Sequence, residues 1–65
     1  MTVKELKAID RLKGLLYAAK SEGYPLDRMH VCDGYLTALC ILTGKEYGFS
    51  GTDVFIYHGH DKEYV

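Results

Sequence analysis

Residues 30–44, HVCDGYLTALCILTG, place two cysteines, a histidine and an aspartate in a stretch with the apolar spacing of a helix. Thiols and imidazoles do metal and nucleophile chemistry, so their spacing is the first thing to weigh. Zinc takes four ligands about 2.0–2.3 Å from the ion, usually from closely spaced pairs. Cys32 and Cys40 are eight residues apart; on one helix that separates them by about 12 Å, too far to share a metal or form a disulfide. His30 and Cys32, at i and i+2, point to different sides of a helix. His58 and His60 could converge only in an extended segment. The expectation is no metal site and no cofactor, with both cysteines acting as small core hydrophobes.

A thiol nucleophile needs a base and a partly exposed, electropositive setting. Cys32 falls in the middle of the apolar arc of its helix, and Cys40 at the edge, where it could be accessible; there is no Cys-x-x-Cys motif. His30 and Asp33, at i and i+3, could hydrogen-bond, with Thr37 one turn on. A solvated helix face accounts for them equally well, and a chain this short has little room for a ligand pocket of about 300 Å³. Gly44-Lys45 lacks the upstream glycine of a phosphate loop. The expectation is that the protein is not an enzyme.

Two helices must position these residues. Thr2 and Glu5 have the spacing of a capping box, with Met1 and Leu6 as its staple. Leu6, Ile9, Leu12, Leu16 and Ala19 then repeat at three and four residues. Gly23 suits the position after a helix, and Pro25 stops its continuation, so the pattern predicts a first helix over 3–22. Asp27 predicts the N-cap of a second, ended by Gly44. Val31, Cys32, Tyr35, Leu36, Ala38, Leu39 and Leu42 cover an arc of roughly 200° on it, so wide that the helix should be touched on more than one side. In the last third, Val54-Phe55-Ile56-Tyr57 has strand propensity. Ser50 and Asp53, however, match a second capping box with Phe49 and Val54 as its staple, which favours a short helix over 51–58. The fold expected is therefore mainly α, a three-helix single domain over 1–65. The alternative is α+β, two helices plus a small antiparallel meander at 45–65, turning at Ser50-Gly51 and Gly59-His60.

The chain has 65 residues, 48% hydrophobic and 26% charged, with a net charge of −1. That balance argues against a dedicated DNA binder and against an acidic DNA mimic, so direct nucleic-acid binding is not expected. No apolar run is long enough to span a bilayer, and the start, Met-Thr-Val-Lys-Glu, has no apolar leader segment. The reading is a cytosolic protein with reduced thiols. Tyrosine is in excess, with six, more than a small core can bury with satisfied hydroxyls. It is a residue of protein interfaces, giving large contact area at low entropic cost. The C-terminal third is acidic, with Glu46, Asp53, Asp61 and Glu63 against Lys45 and Lys62. Tyr47, Asp53, Tyr57, Asp61 and Glu63 are accordingly the expected partner contacts. Lys4, Lys7 and Arg11 form a basic ridge on the first helix, most simply a solvated face.

The run DGYLTAL, residues 33–39, resembles a helix-opening segment of the YecA-like family. The resemblance covers about residues 26–58 and implies a helical fold. Some members of that family carry a cysteine-rich zinc tail; this sequence lacks it, so no metal function transfers. In size, charge and tyrosine content the chain is similar to small phage inhibitors of bacterial defence of the anti-CRISPR type. That similarity implies a binding module that occludes a basic surface of a host nucleic-acid-handling complex. The alternatives are a helical nucleic-acid-binding regulator and a metal or thiol protein.

Overall fold

The computed structural model describes the whole chain, Met1–Val65, as two helices followed by three strands. Helix α1 spans Val3–Ser21 and α2 spans Leu26–Thr43. Strands β1 (Tyr47–Ser50), β2 (Asp53–His58) and β3 (Asp61–Tyr64) form an antiparallel sheet in the order β1-β2-β3. The architecture is α+β. The expected third helix over 51–58 is thus corrected, and the alternative of a meander at 45–65 is the one the structure holds.

The correction has a local cause and a non-local one. Ser50 and Asp53, read as a capping box, instead face each other as the last pair of the β1–β2 ladder. Gly51, with φ 60°, opens the two-residue loop between them. A left-handed glycine at that position matches the right-handed twist of the flanking strands. Gly59, with φ 65°, does the same between His58 and Asp61. A helix of two turns is marginal by itself, whereas the strand lets Val54 and Ile56 enter the core side by side.

Both helices run close to their expected spans, though their starts differ in detail. The Thr2 hydroxyl accepts from the Glu5 N–H at 3.1 Å. The other half of that box does not form, because the Glu5 carboxylate takes Lys45 Nζ at 3.2 Å and ties the start of α1 to the approach to β1. At its other end, the Tyr24 N–H donates to the Ala19 carbonyl at 2.7 Å and the Gly23 N–H to that of Lys20 at 3.1 Å. These are the two bonds of a Schellman cap, with Gly23 at φ 78°. Helix α2 begins at Leu26 after Pro25, so Asp27 sits in the first turn and not at the cap. There its charge opposes the positive end of the helix dipole. Gly44, at φ 71°, ends the helix.

The connection from Ser21 to Leu26 is short, so α1 and α2 lie antiparallel as a hairpin. They cover one face of the sheet, α1 against β2 and α2 against β1, while no helix packs on β3. The thinnest dimension, 16 Å, is that of two layers. The core lies between the layers. Ile9, Leu12, Leu16 and Ala19 enter it from α1, Cys32 and Leu39 from α2, and Tyr47, Val54 and Ile56 from the sheet. Of the wide arc on α2, the sides facing the sheet and α1 are covered, and the rest is not. Val31 and Leu42 remain 53% and 59% exposed, and Ala38 between them is also exposed. No helix is long and apolar enough to cross a membrane.

Candidate functional site

The cysteines that raised the question of chemistry belong to the scaffold. Cys32 is buried in the core, and burial pushes its thiol pKa up, away from thiolate. Cys40 is half-buried at the junction of α2 and β1: its sulfur accepts the Tyr47 N–H at 3.3 Å and faces the Tyr47 carbonyl at 3.8 Å. It therefore satisfies the first backbone groups of β1 instead of standing free at the rim. On the polar strip of α2, the Thr37 hydroxyl donates to the Asp33 carbonyl at 2.9 Å. His30 and Asp33 make no side-chain hydrogen bond with each other, and His30 is exposed. No three of the His, Cys, Asp and Glu side chains converge as a metal site would require.

The five expected contact residues do not form one surface. Tyr47 is buried and pairs with Ile56 on the helix side of the sheet, so its ring is part of the core. Asp53 and Asp61 sit at the two hairpin turns, at opposite ends of β2. Glu63 pairs with Ile56 on the inner parity and meets His58 Nε2 at 2.9 Å. Only Tyr57, with Asp53 two pairs along, lies on the outer face of β2.

That outer face joins Phe55 and Tyr57, expected on the third helix, to Lys62 and Tyr64 beyond it. Strand alternation puts Phe55 and Tyr57 on it, and the β2–β3 register brings Tyr64 beside Phe55 and Lys62 beside Tyr57. The Phe55 ring meets Tyr57 edge-on at 5.0 Å and Tyr64 at 5.7 Å between centroids. The Lys62 ammonium stands 4.6 Å above the Phe55 ring, within cation–π range. Phe55 is thereby buried on a face that no other layer covers. Tyr57 and Tyr64 stay 41% and 64% exposed above it. Reading 53–64 as two strands would have aligned these side chains by their period of two.

The basic ridge is exposed and borders a cavity. Lys4, Lys7 and Arg11 line a cavity of about 270 Å³ whose other walls are Ala8, Tyr35 and Leu42. No family model matches the chain, and neither a curated protein nor a solved structure matches it.

One consequence of the core concerns alkaline stability. Burial raises the pKa of both Cys32 and Tyr47, and the Tyr47 hydroxyl has no hydrogen-bond partner. The folded protein holds both protons to higher pH than the unfolded chain does. Stability is therefore full below their ordinary values, about 8.5 and 10, and is lost as pH rises past them. Melting temperature is expected to fall steadily above about pH 9. Tyr47→Phe should lessen that fall and add about 1 kcal/mol at neutral pH, since it removes an unsatisfied buried hydroxyl. A destabilised Tyr47→Phe would mean that the hydroxyl has a partner in solution.

Proposed function

We propose that this domain is a non-enzymatic protein-binding module, in which the outer face of the sheet is the contact surface and Tyr57 and Tyr64 are its anchors. The observation that carries this reading is an uncovered sheet face where two exposed tyrosines rest on a buried Phe55. A rigid, amphipathic aromatic pair held by a packed ring beneath it offers contact area with little entropy left to lose on binding. Lys62 and Asp53 place charges of both signs at its border, which would orient a partner more than hold it. The mode of action suited to so small a chain is occlusion. The partner class proposed is the one its size and charge suggested, a host nucleic-acid-handling defence complex blocked by a phage-type inhibitor.

The test is capture of partners from bacterial lysate, with and without nuclease, using the natural chain and a Tyr57→Ala/Tyr64→Ala variant shown by circular dichroism to remain folded. The expected outcome is a protein captured regardless of nuclease and lost, by about tenfold or more, with the variant. Capture that disappears with nuclease, or that ignores both substitutions, would refute the reading.

A further inference from the structure

We propose that the groove between α1 and α2 is a second docking site, built to receive an acidic amphipathic helix from a partner protein. It shares no residue with the outer face of the sheet and stands or falls independently of that surface.

Three observations point to this occupant. First, Val31, Tyr35, Ala38 and Leu42 recur at i, i+4, i+7 and i+11, so they form a single stripe along α2, about 16 Å long. The sheet covers the neighbouring side of α2, with Cys32 and Leu39; of the stripe, Tyr35 is half-buried against the core, while Val31, Ala38 and Leu42 are exposed. Second, the cavity of about 270 Å³ beside Leu42 and Tyr35 adjoins another of about 140 Å³, which extends over Ala38 and Leu39. The two share Ala8, Tyr35 and Leu42 and together make one groove with an apolar floor. Third, the α1 wall of the groove carries Lys4, Lys7 and Arg11, and no carboxylate lines either cavity. None of these three cations is in an ion pair, although Arg28 and Lys45 elsewhere both are.

An apolar stripe three helical turns long, grooved from Tyr35 to Leu42 with cations along one wall, is complementary to a helix with an apolar stripe and acidic residues on one flank. The alternatives fit less well. A second copy of this chain would bring the same unpaired cations and, beside its own stripe, the single carboxylate of Asp27. A nucleic acid would find one aromatic ring, Tyr35, for base stacking in an otherwise aliphatic groove.

The probe is a fluorescein-labelled helical peptide of about 16 residues, with leucines along one stripe and glutamates on the adjoining flank. Its binding to the full chain is followed by fluorescence anisotropy. The same peptide with lysines in place of the glutamates and a labelled single-stranded oligonucleotide serve as comparisons, and sedimentation reports the oligomeric state. The acidic peptide should bind at least about tenfold tighter than the basic one, and weaken as salt shortens the Debye length from about 10 to about 3 Å. Arg11→Glu should weaken it by about tenfold, Arg11→Gln by less, and Leu42→Asp should abolish it. Both positions are exposed, so circular dichroism of these variants should match the natural chain. Equal affinity for the two peptides, no binding at about 1 mM, tighter binding of the oligonucleotide, or a dimer that Leu42→Asp dissolves would each overturn the proposal.

Discussion

Leu12→Ala is expected to remove about 3–5 kcal/mol and to leave little of the cooperative fold. Leu12 is fully buried, one of the largest side chains to be so, in a core that four elements share. Removing it leaves a cavity that α1, β2 and the rest of the cluster cannot all close, because α1 is held at both ends by its caps and by the Glu5–Lys45 pair. The size of the chain turns this ordinary loss into a decisive one. A domain of this length is stable by roughly 3–10 kcal/mol in total, so a single truncation can consume most of it. A thermal melt at 222 nm should show the midpoint lowered by about 12–25 °C, or no transition at all. A drop of less than about 5 °C would mean that the two-layer core is not packed as described.

The helices were legible because everything that defines them is local. The threefold-and-fourfold repeat of α1, its threonine at the start and Gly23 at the end lie within one continuous stretch, and the observed Val3–Ser21 is one residue shorter than the pattern predicts. The sheet was not legible in the same way, because one local signal serves two structures. Ser50-Gly51-Thr52-Asp53 spaces two capping side chains for a helix and also spaces two paired residues across a hairpin loop. What decides between them is distant in sequence. The Glu46 carbonyl receives the Tyr57 N–H, and the Val54 carbonyl that of Val65. Neither bond leaves a mark on the residues from 50 to 53.

The same ambiguity governs the contact surface. Asp53 and Tyr57, four residues apart, share a face whether the segment is helix or strand, so that part of the expectation survives the change of fold. Tyr47, Asp61 and Glu63 are placed by strand register, which carried them to the inner parity, to the core or to the far turn. Lys62 and Tyr64 join the aromatic face for the same reason. The groove was half visible: the cations of α1 and the wide arc of α2 were both in the pattern. The arc predicts a helix touched on more than one side. The sheet and α1 supply those sides, and Val31 and Leu42 remain exposed beyond them.

Gly48→Ala is the substitution that tests the outer face most directly, with an expected loss of about 1–3 kcal/mol. Gly48 is opposite Phe55 in the β1–β2 register. A β-carbon there would lie 2.6 and 2.9 Å from atoms of the Phe55 ring and 2.9 Å from the Tyr57 ring. Phe55 cannot swing aside cheaply, because Tyr57, Tyr64 and Lys62 enclose it. The sign of the result is informative, because glycine to alanine at an unstrained site ordinarily stabilises by about 0.4–1 kcal/mol through the unfolded chain. If the aromatic cluster is packed as described, the clash outweighs that gain. The melting temperature should then fall, the near-ultraviolet tyrosine signal should weaken, and the helical signal at 222 nm should persist below the transition. Partner capture should fall with it, since the anchors Tyr57 and Tyr64 rest on the ring that is displaced. A neutral or stabilising Gly48→Ala would show that Phe55 yields freely. The two tyrosines would then not be held in advance of binding, and the low entropic cost on which the proposed contact surface depends would be lost.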